Sequence, residues 1–127
     1  MIIRAVPADQ LESFFAKVHQ LIATACHRTG DVEDVAGLKA RSSNMLVLDL
    51  DGQGVALLER DGPWCHATTL AGDHLIEHMP QLIQTWLGIA YHMGCTGISL
   101  CGRKGWERVL APYGFRKNGS NLEASWA

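Results

Sequence analysis

Three sets of residues in this sequence have the types and spacing to do chemistry. The run His74-Leu75-Ile76-Glu77-His78 matches H-x-x-E-H, in which one turn of helix presents two imidazoles to a zinc ion and the glutamate acts as base. Pro80 follows two residues later, and Glu123 is the only carboxylate near the end of the chain, so a chance match in a polar connector is the plainer reading. Cys26-His27 and Cys65-His66 are adjacent pairs, but neither has a partner at metal-ligand spacing. They read as structural cysteines beside surface histidines. Arg103, Lys104, Arg108, Arg116 and Lys117 place five of the eleven basic residues between 103 and 117. Trp106 and Tyr113 are interleaved with them, so a local docking patch for nucleic acid or an acidic protein surface is one reading. A solvated rim with Trp106 turned inward is the simpler one.

The elements that must position these groups follow from periodicity. Ile2–Val6 is a short strand closed by Pro7, and Leu11, Phe14, Phe15, Val18, Leu21, Ile22 and Ala25 mark one face of a long helix. Gly30 stands past its end. Asp31 can cap a weaker helix through Val32, Val35 and Leu38. Met45–Leu50, Val55–Glu59 and Trp64–Leu70 form an antiparallel meander, joined at Asp51-Gly52 and Asp61-Gly62-Pro63.

The stretch from Gln81 to Phe115 organises the remainder. Its helix spaces Leu82, Trp86, Ile89 and Met93 on one face and stops at Gly94. Thr96–Cys101 is apolar enough to be buried on both sides. Trp106, Val109 and Leu110 give a short helix its inner face, and a crossover of this kind implies a parallel strand pair. A last strand, Leu122–Trp126, ends the chain. Trp126 beside the terminus requires either packing onto a helix or a partner, and pairing through a final edge strand would cover that edge.

Composition sets wider bounds. The 127 residues are 47% hydrophobic and 19% charged, with net charge −2, which suits one domain with its own core, 1–127. No global field recruits nucleic acid or membrane. Four scattered cysteines suggest free thiols in a reducing compartment. No apolar run approaches a membrane span and no signal peptide is legible, so a cytoplasmic chain is expected.

The resulting order, β-α-α-β-β-β-α-β-α-β-β in a mixed α/β sheet, resembles the GCN5-related N-acetyltransferase fold over the whole chain. Gly114-Phe115 looks like the dipeptide that enters that family's sixth strand. The connector ATTLAGDHL and the segment GRKGWERVLAPYGF are similar to small acetyltransferase-like proteins encoded by bacteriophages.

The resemblance implies a diphosphate loop patterned Arg/Gln-x-x-Gly-x-Gly/Ala before the long helix, where backbone amides meet phosphate. Leu70 to Leu82 holds one glycine, Gly72, and places Asp73, Glu77 and Pro80 there instead. The family's tyrosine acid, four residues before the glycine, falls on Leu110. These departures imply a non-catalytic binding or structural protein of this fold, with no cofactor. Its partner would be a protein, itself or locally nucleic acid, and a phage particle its plausible setting. Arg103, Lys104, Arg108, Arg116, Lys117 and Trp126 would form its contact surface. The alternative is a divergent N-acetyltransferase holding acetyl-CoA by backbone contacts with the fourth strand, with Glu59 or His66 as general base.

Overall fold

A computed structural model describes residues 1–29, 34–101 and 104–126, with the side chains of residues 28, 29 and 104 excepted. Strand β1 (Ile3–Ala5) leads through a 3-10 turn into helix α1 (Leu11–Thr29), then α2 (Val35–Arg41). Strands β2 (Leu46–Leu50), β3 (Gly54–Asp61) and β4 (Trp64–Gly72) follow. Helix α3 (Met79–His92), strand β5 (Gly97–Cys101), helix α4 (Lys104–Leu110) and strands β6 (Arg116–Asn118) and β7 (Asn121–Ser125) complete the order. One seven-stranded sheet runs β1-β2-β3-β4-β5-β7-β6. This is the mixed α/β architecture expected from the sequence.

Strand alternation divides the core between the two faces of the sheet. Val47, Val55 and Leu57 meet Phe14, Phe15, Val18 and Ile22 of α1. Leu48, Leu50, Ala56, Leu58, Cys65 and Ala67 meet Leu82, Ile83 and Trp86 of α3 together with Trp106 and Leu110 of α4. The Trp86 indole donates to the Cys65 carbonyl at 3.0 Å and its ring lies 5.8 Å from Phe115. The Gly-Phe entry to β6 is thereby pinned on α3. Gly114 takes φ 85 at that corner, a left-handed position that favours glycine.

Four sequence expectations shift. The inner face of α3 is Met79, Leu82, Ile83, Trp86 and Ala90, with Ile89 and Met93 only partly covered, because the helix turns its Ile83 and Ala90 side onto the sheet. The cap of α2 is Asp34, whose carboxylate accepts from the Gly37 amide; Gly30, Asp31 and Val32 lie outside the described residues. The parallel pair is β4–β5, crossed over by α3. Helix α4 instead joins β5 to β6, and β7 lies between those two strands. Strand β7 is therefore interior, and the edge that sequence order assigned to it belongs to the three-residue β6.

Candidate functional site

Strands β4 and β5 part company halfway along β4. Their ladder runs from Trp64↔Gly97 to Ala67↔Leu100 and stops, while β4 continues to Gly72. An irregularity lies at the same point on the other side of β4. Leu57 pairs with Thr69 and Leu58 with Ala67, so Thr68 is an extra residue in the ladder with β3. A bulge bends and twists the strand that carries it, and here it follows directly on the last β5 pair. Among the described residues, 68–72 have no ladder partner on the β5 side, so backbone groups that point away from β3 have no strand to pair with there.

A cavity of about 410 Å³ lies beside the far end of β4. It is lined by Ala71 and Gly72 of β4, by His74, Leu75, Ile76 and Glu77 of the following turn, and by α4 through Gly105, Trp106 and Val109. A smaller cavity of about 180 Å³ shares Ala71 and Gly72 but is walled by Gln20, Leu21, Thr24 and Ala25 of α1. The free end of β4 is thus flanked by two cavities.

The paired half of β4 carries a polar group of side chains on the face away from α3. Glu59 and His66 are ladder partners across β3 and β4. Arg41 donates to one Glu59 oxygen at 2.8 Å and Thr68 donates to the other at 2.6 Å. His66 Nδ1 lies 2.9 Å from the hydroxyl of Ser99, its partner in the parallel ladder. Partial burial pushes the Glu59 carboxyl up, but the Thr68 hydroxyl and the Arg41 guanidinium outweigh it, and His66 adds to them. The net effect holds Glu59 below the ordinary carboxylate range. Glu59 is therefore held as the anion, with the His66 imidazole beside it across the ladder.

The structure brings Glu59 and His66 together. Arg108 is exposed on α4. Arg116 and Lys117 are successive residues of β6 and so point to opposite faces. Arg103 and the Lys104 side chain lie outside the described residues. Trp126 lies past the end of β7 and is 46% exposed, with its amide bonded to the Thr96 carbonyl. Leu110 is wholly buried in the core, so no hydroxyl stands there.

The H-x-x-E-H run is not presented on one helical turn. His74 sits in a left-handed loop position (φ 62) and pairs with Glu77 at 3.1 Å, and no cluster of three metal-ligating side chains occurs among the described residues. Cys26 and Cys65 are both buried. Burial, with Cys95 adding to it, pushes the Cys65 thiol up to about 11, which removes it as a nucleophile.

Sequence reasoning missed Ser99, Thr68 and Arg41. Ser99 and Thr68 become neighbours of His66 and Glu59 only through strand register, Arg41 reaches Glu59 from the end of α2, and the bulge at Thr68 has no glycine or proline to announce it. No helix among the described residues is long and apolar enough to cross a membrane.

No protein-family model matches the chain, and no curated protein matches it by sequence. Solved structures do. A GCN5-related N-acetyltransferase from Rhodopseudomonas palustris superimposes with TM-score 0.67 at 18% identity, over 98% of this chain and 94% of that one. A GNAT family acetyltransferase from Brucella melitensis, in complex with acetyl-CoA, gives 0.64 at 17% over 99% and 88%. The PaiA N-acetyltransferase of Thermoplasma acidophilum, in complex with coenzyme A, gives 0.63 at 14% over 98% of each chain.

The two complexes overturn the expectation of a chain without a cofactor. That expectation weighed only the residues of the phosphate loop, whereas the opening between β4 and β5 is a backbone feature that no residue type in the loop reveals. The chain has the fold of the GCN5-related N-acetyltransferases.

Proposed function

We propose that this chain is an acyl-CoA-dependent N-acyltransferase that transfers an acyl group to an amine. The observation that carries the reading is the end of the β4–β5 ladder at Ala67↔Leu100, with the 410 Å³ cleft beside the freed strand. The cofactor, when bound, supplies an acyl group activated as a thioester. Residues 68–72 offer a strand edge to a pantetheine arm, which has amides of its own, in the manner of strand addition. Leu75, Trp106 and Val109 provide the apolar wall that excludes water.

His66 takes the proton of the incoming amine, and Glu59, anchored by Arg41 and Thr68, stabilises the imidazolium that results. Ser99 holds the imidazole through Nδ1. The fit is partial, because Glu77 lines the cleft, Asp73 lines the smaller cavity beside it, and no arginine is present among the described lining residues.

Calorimetric titration with acetyl-CoA tests this reading, followed by thiol release with a panel of primary amines. Micromolar binding and amine-dependent release of thiol are expected. Absence of binding at millimolar acetyl-CoA overturns the reading and leaves the non-catalytic binding protein, a phage-particle component included. That alternative draws on the missing loop arginine and on Tyr91 and Trp126, exposed at 73% and 46%, as places for a protein partner or self-association.

A further inference from the structure

One row of side chains crosses four strands on the face of the sheet away from α3. Glu59 pairs with His66, His66 with Ser99, and Ser99 with Glu123. Ladder partners share a face. Their neighbours along the strands, among them Cys65, Ala67, Ile98, Leu100 and Leu122, point the other way into the core beneath α3. The core that α1 builds on the row's own face takes Val47, Val55, Leu57 and Ala71 from β2, β3 and β4. Among the described residues it takes none from β5 or β7. Ser99 and Glu123 therefore lie beyond the part of that face which α1 packs.

The two carboxylates of the row differ. Glu59 accepts from both Arg41 and Thr68. Glu123 is half-buried and accepts at Oε1 from the neutral Asn118 amide at 3.0 Å. Arg116, its partner in β6, is exposed and makes no ion pair with it among the described residues. Trp64 bounds the same stretch. A Cβ on Gly97, two residues before Ser99, would meet its ring at 2.4 Å, so the indole lies over β5 on this face. With strands about 4.8 Å apart, the backbones of His66 and Glu123 stand about 10 Å from each other.

We propose that the acyl acceptor is an aliphatic diamine, one amine reacting at His66 while Glu123 binds the other as its ammonium. The proposal rests on the reading of His66 as the base of an acyltransferase. The reacting amine bonds to the acyl carbon, its proton passes to His66, and the bond to sulfur breaks, the thiol taking up a proton as it leaves. The second nitrogen stays protonated, as a lysine does near neutral pH. Small Ser99 leaves the way between the two groups open, and the Trp64 ring offers the methylenes an apolar wall. A monoamine leaves Glu123 without a ligand, and an acceptor bearing a carboxylate at that place meets repulsion.

The test is thiol release at saturating acetyl-CoA with butylamine and with diaminopropane, diaminobutane and diaminopentane, together with calorimetry of each amine on the chain without donor. A diamine should exceed butylamine in kcat/KM by about tenfold or more, the worth of a hydrogen bond between charged groups. Glu123→Gln, which can still accept from Asn118, should raise KM and weaken calorimetric binding for the diamine about tenfold, leaving its kcat and the butylamine rate unchanged. Glu123→Asp should move the preference to a longer diamine, which a merely structural role would not do. Asp61→Asn, which removes the exposed carboxylate level with Trp64 on β3, should change nothing. Equal losses for butylamine and diamine in Glu123→Gln, no loss for either, or a loss in Asp61→Asn alone overturn the role of Glu123. A chain that acylates butylamine as well as any diamine keeps the acyltransferase reading and refutes the diamine. A chain that binds no acetyl-CoA and acylates no amine refutes both.

Discussion

His66 Nδ1 lies 2.9 Å from Ser99 Oγ across the sheet's parallel pair, one ladder step before β4 and β5 separate. Imidazole and hydroxyl therefore sit on rigid strands, with the opening immediately beyond them. His66→Gln is expected to lower the rate of amine acylation by about a hundredfold or more, the usual contribution of a general base. Acetyl-CoA affinity should stay unchanged. Ser99 positions rather than transfers, so Ser99→Ala should lower kcat by less and also leave acetyl-CoA affinity unchanged. A His66→Gln chain with the full rate would remove the histidine from the mechanism.

Glu59 links pH to stability. Its carboxyl is held below the ordinary value in the folded chain by Thr68 and Arg41, against the opposing effect of burial. A depressed carboxylate contributes stability above its unfolded pKa, and that contribution is lost as pH falls through the lower folded value. Arg41→Ala should therefore cost about 0.5–1 kcal/mol near neutrality, a small figure because solvent screens the pair. It should cost progressively less as the solution is acidified. Urea denaturation across that range checks the sign, and a cost that grows on acidification would contradict it.

Gly97 has no room for a side chain. A Cβ there would come within 2.4 Å of the ring of Trp64, its partner in β4, and 2.7 Å of the carbonyl of Ala124, which precedes its β7 partner Ser125. Gly97→Ala should destabilise the chain by about 2–3 kcal/mol, as overpacking does. In a Trp64→Leu background the cost should shrink without vanishing, because the carbonyl stays where it is. A double-mutant cycle in urea measures that coupling.

The thiols should separate by accessibility. Cys26, Cys65 and Cys95 are buried and Cys101 is half-exposed at the end of β5. With its thiol pushed up to about 11, Cys65 has on the order of one thiolate in a thousand near pH 8. Iodoacetamide should therefore modify Cys101 first in the native chain, and Cys65 only after denaturant is added. Peptide mass mapping over time reads the order.

The sequence by itself determined the elements and their order, because the signals for them are local. Spaced apolar residues wrote α1, the Asp-Gly pairs wrote the β2–β3–β4 meander, and Gly94 and Gly114 wrote two of the stops. It also brought Glu59 and His66 into view as base candidates, since both lie in the meander. Only the tertiary structure decided that these two are cross-strand partners, and that Thr68 and Arg41, the latter eighteen residues from Glu59, both donate to its carboxylate.

The same holds for the cleft. The opening of the sheet beside it depends on where the β4–β5 ladder ends and on a one-residue bulge at Thr68, and both are matters of register between separate strands. Residue types in the phosphate loop pointed away from a cofactor, since a loop's chemistry is legible locally. The opening of a sheet is a relation between strands, and strand partners exist only once the chain has folded.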